Sequence, residues 1–219
     1  MVQSVQRRNF GRNQVLKPSA FYTPADEQEI LQILDRHRGQ RIRAVGRLHS
    51  WSDAVLSDDV LLDLRRLNAV QLHSEGDQLV AEVGAGCQIK RLLKELNRHD
   101  ATLQTLGLIT EQTIAGAIST GTHGSGRHSM SHYVEGVRLA RYDASTGKVV
   151  IDELSAGEPL QAARCSLGSL GIILSVRIHC REQYNVKEHF TETRRLSHVL
   201  DAEVSFPLQQ FYLIPWRWS

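Results

Sequence analysis

The stretch that most constrains this chain is "LQTLGLITEQTIAGAISTGTHGSGRHSM", residues 103–130, rich in glycine, serine and threonine yet interrupted by the apolar "TIAGAI". Within "STGTHGSG", Gly121, Gly124 and Gly126 let the backbone approach a ligand closely, and Thr120, Thr122 and Ser125 add hydroxyl donors. Such a segment is either a flexible surface loop or a cradle whose backbone N–H groups converge on an anion. Gly116, inside the apolar interruption, permits close packing or the close approach of a flat ligand. The common phosphate motifs are absent: no GxGxxG follows a strand and no GxxxxGK[ST] occurs.

A second unusual stretch is "VGRLHSWS", residues 45–52, which follows the apolar run Ile42-Arg43-Ala44-Val45. It sets a histidine at the tip of a predicted strand, where the ring either caps a turn or faces a cleft. His123, His128 and His132 cluster later, but without the carboxylate pattern of a metalloprotease helix or a nearby cysteine, so no metal site is expected. "CSLGS", residues 165–169, does not match GxSxG, and Cys165 reads as a small packed residue.

The rest of the chain of 219 residues alternates helix and strand signals without a repeat, which makes the class mixed α and β. "YTPADEQEILQILDRHRG" predicts a helix with Thr23 as N-cap and Pro24 at its first position. A second helix is expected over Gln88–Arg98, with Ile89, Leu92, Leu93 and Leu96 as its buried stripe, and a short one in "PLQAARCSLGSLG". Strands are predicted at "RIRAVG", "DDVLLDL", "AVQLH", "QLVAEVGAG", "VEGVRLARYDA", "KVVI" and "IILSVRIHC". "FYLIPWRWS" reads as a strand cut off as it opens a new sheet, which suggests a truncated second domain.

Charge excludes some functions. Lysine plus arginine number 26 against 24 acidic residues, a formal charge of +2, so there is no electrostatic footprint for nucleic acid or a membrane surface. The three cysteines are scattered and lack CxxC spacing, which fits a reducing compartment. Neither a signal peptide nor an apolar run of ~20 residues is present, so a cytoplasmic protein is expected. The oligomeric state is not legible.

Three stretches, "VGRLHSW", "LQTLGLITEQTIAGAISTGTHGSG" and "ARCSLGSLGIILSVRIHC", together resemble the PCMH-type FAD-binding domain of the vanillyl-alcohol oxidase superfamily. Within it they are most similar to the sugar-lactone and alditol oxidases, such as gulonolactone oxidase and arabinonolactone oxidase. The resemblance covers about residues 11–182 and implies a two-lobed α+β domain holding FAD. Residues 185–219 would then begin an incomplete substrate-binding cap.

In that family a GxGHS turn binds the FAD pyrophosphate, and its histidine is bonded to the flavin 8α-methyl. The resemblance therefore implies that Val45, Gly46, Arg47, Leu48, His49 and Ser50 form the first pyrophosphate loop, with FAD covalently attached through His49. This sequence departs from the motif at Leu48, where a second glycine is usual, while Arg47 offers a positive partner for the pyrophosphate. Thr113, Gly116, Ser119, Thr120, Gly121, His123 and Gly124 would line the ribityl chain and diphosphate, and Ile172 and Ile173 would present backbone groups to the adenine.

The implied reaction is oxidation of an alcohol carbon of a small-molecule sugar, sugar lactone or polyol. Hydride would pass to flavin N5, and dioxygen would be the acceptor, giving hydrogen peroxide. Gly107 bears on that acceptor, because a related dehydrogenase carries alanine at the matching position. Glycine there would leave oxygen a path to the flavin, or else would simply make a turn with positive φ. A sterol or other bulky-alcohol oxidase of the same superfamily, or a non-catalytic flavin-binding module, are the alternatives.

Overall fold

The computed structural model describes residues 6–125, 128–214 and 216. A short hairpin, β1 (Arg7–Arg8) with β2 (Val15–Leu16), leads into β3 (Ala20–Tyr22), α1 (Glu27–Arg36), β4 (Ile42–Val45) and β5 (Val60–Asp63). β6 (Val70–Glu75), β7 (Gln78–Gly84), α2 (Ile89–Asn97), β8 (Ala101–Leu103) and α3 (Ile114–Ser119) follow. The chain continues through β9 (Val134–Tyr142), β10 (Val149–Leu154), α4 (Gly157–Arg164), β11 (Ile172–Glu182) and α5 (Leu196–Asp201).

β3, β5 and β4 form a parallel sheet with β5 in the middle. Every residue of β5 is buried, as expected for a central parallel strand covered on both faces. Alternation along it separates two cores. Val60 and Leu62 join the main core with α1 residues Ile30, Ile33 and Leu34, whereas Leu61 packs with Leu16 and Val45 in a small outer cluster. α1 begins three residues later than the sequence suggests. Asp26, not Thr23, is the N-cap: its carboxylate accepts from Glu29 N at 2.9 Å, and the Glu29 carboxylate accepts from Ala25 N at 2.6 Å. The carboxylate pair satisfies two amides reciprocally, which a threonine followed by proline cannot match.

The second sheet is antiparallel, in the order β10-β9-β11-β7-β6, with β8 on the far end of β11. Leu174, Val176, Ile178 and Cys180 of β11 are buried, while the alternate Arg177, His179 and Arg181 are half-buried on the other face. α2 occupies the expected span and buries Ile89, Leu92 and Leu96. The turn between β9 and β10 is closed by Asp143, whose carboxylate accepts from the amides and hydroxyls of Ser145 and Thr146 and is thereby held well below its usual range. The main core unites both sheets, α1 and the helices α2, α3 and α4.

Beyond Glu182 regular structure thins to α5 and a short 3-10 turn at Ala202–Val204. Residues 211–214 are irregular, so the strand expected in "FYLIPWRWS" does not form over its described part: Phe211, Tyr212 and Leu213 are exposed and have no strand to pair with. The remaining expected strands form within a few residues of their predicted limits. Among the described residues no helix is long and apolar enough to cross a membrane.

Candidate functional site

The loop Gly46–Ser50 leaves the C-terminal end of β4 and is shaped from two sides. On one side, Gly46 lies so close to Thr113 that a Cβ would sit 2.3 Å from its Oγ1. Thr113 is itself fixed as the N-cap of α3, where Oγ1 accepts from Gly116 N at 3.4 Å. On the other side the N-terminal hairpin holds the loop by its carbonyls. Phe10 N donates to Leu48 O at 2.8 Å, Asn9 Nδ2 to Ser50 O at 2.8 Å, and Asn13 Nδ2 to Trp51 O at 2.9 Å. Asn9 is buried at 3 % exposure and also accepts from Gln14 N.

With Leu48 O and Ser50 O so engaged, the loop keeps its donors: the amides of Gly46, Arg47, Leu48, His49 and Ser50 meet no acceptor among the described residues. Successive unpaired amides are the ordinary means by which a loop binds an anion. Leu48 adopts φ +57, the left-handed region. A non-glycine residue held there carries a strain of about 1–2 kcal/mol. Arg47 is exposed, and His49 is half-buried with its ring edge-on to Phe10 at 5.2 Å. His49 Nδ1 is fully buried without a hydrogen-bond partner among the described residues. A buried polar atom left unpaired costs about 1–3 kcal/mol and calls for a missing group.

The second loop differs. "TIAGAIS" forms α3, and in the following turn the amides of Thr120, Gly121, Thr122 and Gly124 bond to Gly116 O, Ile118 O, Ala117 O and Thr105 Oγ1. Most amides of "STGTHGSG" are therefore engaged internally, while its glycines meet two distinct demands. Gly121 takes φ +64, and at Gly124 a Cβ would fall 2.6 Å from Leu106 O. Gly126 lies outside the described residues. Gly107 packs directly on this loop, where a Cβ would be 2.6 Å from Thr122 Cγ2, and its φ is not positive. The turn explanation for Gly107 is thus replaced by close packing.

A cleft of about 1020 Å³ opens beside these residues, with Gly107, His123, Gly124, His128, Tyr133 and Gln210 in its wall. His123 Nδ1 donates to Gly124 O at 3.0 Å, since the carbonyl can only accept. His128 stacks on His132 at 4.1 Å between ring centroids.

The third stretch joins the other two. Cys165 is exposed rather than packed, and its thiol lies 3.4 Å from each of the carbonyls of Ile118 and Ser119 at the end of α3. Two residues on, Leu167 O accepts from Arg43 Nη1 of β4 at 3.1 Å. Ile172 and Ile173 then enter the sheet against β9, whereas the register with β7 begins only at Ser175. One backbone edge of Ile172 and Ile173 is consequently free of strand partners among the described residues. Gly46 on Thr113 and Cys165 on Ile118 and Ser119 bring the second stretch against the first and the third, and Arg43, two residues before the first stretch, ties its strand to the third through Leu167.

What the sequence reasoning missed is the hairpin clasp of Asn9 and Asn13. The available signal was the asparagine-rich turn "NFGRNQ", whose side chains are suited to bonding backbone carbonyls.

Comparison with known proteins agrees with this geometry. A family model described as an FAD binding domain matches residues 18–151. A protein named long-chain alcohol oxidase, from an uncultured marine euryarchaeote, is 81% identical over 219 residues, all of this chain and 46% of that protein. L-gulonolactone oxidase of Mus musculus is 31% identical over 205 residues, covering 91% of this chain and 45% of its own length. Among solved structures, a solvent-stable cholesterol oxidase superposes with a TM-score of 0.75 at 17% identity, covering 83% of this chain and 38% of its own, a likeness of fold. The chain spans less than half the length of these relatives. With the glycine-rich segments meeting as they do and the family model covering most of both sheets, the chain belongs to the FAD-binding domain family.

Proposed function

We propose that the protein is a flavin-dependent oxidoreductase acting on an alcohol carbon, and that this chain is the part that holds FAD. The observation that carries the reading is the loop at the end of β4: amides from Gly46 to Ser50 unpaired among the described residues, beside a buried His49 Nδ1 likewise without a partner there. The amides and the Arg47 side chain would receive the diphosphate, and His49 would bond the flavin 8α-methyl through Nδ1. Thr113, Gly116, Ser119, Thr120, Gly121, His123 and Gly124 would follow the ribityl chain, and the free edge of Ile172 and Ile173 would meet the adenine. Bound FAD would supply a hydride acceptor at N5 and a route for the electrons to dioxygen, with hydrogen peroxide as the product. The protein's share is to fix the ring, exclude water and leave Gly107 without a side chain on the path of oxygen.

For the substrate, identity of 81% along the whole chain to a protein named long-chain alcohol oxidase favours a lipophilic alcohol. The 31% identity to L-gulonolactone oxidase supports a sugar lactone as the second reading. Residues 11–182 form the flavin domain, and residues from 185 onward begin the substrate-binding part. Free Cys87, Cys165 and Cys180 fit a cytoplasmic location. The complete protein, mixed anaerobically with dodecanol, gulonolactone or sorbitol, should lose its oxidised-flavin absorbance with dodecanol. Bleaching by gulonolactone alone selects the second reading, and bleaching by none overturns the assignment.

A further inference from the structure

Arg43 has no role in the reading above, yet it stands where two walls of the site meet. It lies on β4, three residues before Gly46, and its Nη1 reaches across to Leu167 O at 3.1 Å. Leu167 is a non-glycine residue held at φ +51, followed by Gly168 at φ +73, so the arginine grips a strained turn. That turn leads directly into Ile172 and Ile173. Arg43 Nε is fully buried and has no hydrogen-bond partner among the described residues. No acidic residue forms a salt bridge with Arg43 among the described residues.

A guanidinium of this kind is an incomplete ion pair. Its charge is permanent, one N–H is committed to holding the turn, and a buried N–H still lacks an acceptor. The complement of such a group is an anion, and the loop that follows Arg43's own strand, Gly46–Ser50, offers amides to one. Arginine is matched in geometry to phosphate oxygens through paired N–H donors. We infer that Arg43 is a diphosphate-binding residue of the cofactor site, which locks the Leu167–Gly168 turn with one nitrogen and receives the dinucleotide's diphosphate with the others. This rests on the reading that the site holds FAD. It also assigns the diphosphate a side-chain charge that comes from the edge strand β4 of the parallel sheet, in addition to the exposed Arg47.

The test is binding, not turnover. In the complete protein carrying His49→Ala, flavin association is reversible, and FAD, ADP and FMN can each be titrated over a range of sodium chloride concentrations. Arg43→Gln should weaken ADP and FAD by about ten- to a hundredfold, the cost of a hydrogen bond to a charged group. FMN, which lacks the diphosphate and adenosine, should lose much less. The salt dependence of ADP binding should flatten in Arg43→Gln and persist in Arg43→Lys, which retains the charge. Equal losses for ADP and FMN with an unchanged salt slope would make Arg43 a purely structural latch and overturn the proposal. So would unchanged ADP affinity in a folded Arg43→Gln protein. If the Arg43-containing parent binds neither FAD nor ADP, the FAD reading itself fails, a result distinct from either.

Discussion

Replacing Gly107 by alanine tests packing and oxygen access together, and the structure provides a way to separate them. The new methyl carbon would stand 2.6 Å from Thr122 Cγ2, against about 3.5–4.0 Å for an ordinary carbon contact. Thr122 cannot easily turn aside, because its χ1 is stiff and its hydroxyl lies 3.4 Å from Gln112 Nε2 and 3.5 Å from Thr120 Oγ1. Overpacking of this kind costs about 1–3 kcal/mol. Loss of glycine's freedom in the unfolded chain returns roughly 0.4–1 kcal/mol. The net destabilisation is then about 1–2 kcal/mol, or a fall in Tm of about 2–8 °C for a domain of this size. Thr122→Ser removes Cγ2 and keeps the hydroxyl, so Gly107→Ala with Thr122→Ser should melt close to Thr122→Ser alone. If residue 107 also governs oxygen access, both alanine-containing proteins should reoxidise slowly in air after anaerobic reduction, whatever their Tm. The assay is a melt of each variant paired with stopped-flow reoxidation of the complete protein. A Gly107→Ala protein as stable as the parent would refute the packing argument. Recovery of both stability and reoxidation in the double variant would refute the oxygen role.

Three further outcomes follow from the site. His49→Ala should release all flavin into the supernatant after acid precipitation, whereas the parent's pellet stays yellow; a colourless parent pellet would disprove the covalent bond and leave FAD binding standing. Asn9→Ala should cost about 1–3 kcal/mol by leaving Ser50 O and Gln14 N without their partner, and its flavin content should fall as the loop loses its clasp; urea melts and the visible spectrum check both. Burial pushes the thiols of Cys87 and Cys180 up to about 11 from an ordinary 9.0. A raised folded-state pKa means that their contribution to stability is complete below pH 9 and is lost as pH rises towards 11. Denaturation midpoints across that window should fall. In the native protein at mildly alkaline pH, exposed Cys165 should be the thiol that iodoacetamide labels.

Much of this architecture is legible in the residues themselves. β5, β7, β9 and β11 declare themselves as apolar or alternating runs, and α2 by its spacing of Ile89, Leu92 and Leu96, because burial on one face leaves a period in the sequence. The three motif stretches are legible as unusual, and their resemblance predicts that they gather. Other features are tertiary and leave no local trace. The clasp on Ser50 by Asn9 joins residues 41 apart through a hairpin of two-residue strands. That the amides of the first loop are unpaired while those of the second are largely engaged depends on distant acceptors such as Thr105. α3 was hidden because Gly116 interrupts a short apolar run whose helix is secured by Thr113 and by packing. Leu48 was visible as a departure from the glycine pattern, but its left-handed backbone was not.

The small outer cluster of Leu16, Val45 and Leu61, with Leu48 packed on it, bears on how such a protein matures. A loop held by so small a cluster and by the N-terminal hairpin, apart from the main core, is of the kind that opens without global unfolding. Its amides should exchange with solvent early in the flavin-free chain, and that brief opening is a route by which a long cofactor can enter. Ligand binding then stabilises the closed state by mass action. A bond at His49 would go further, converting a door that swings on its hinges into one that is bolted from within.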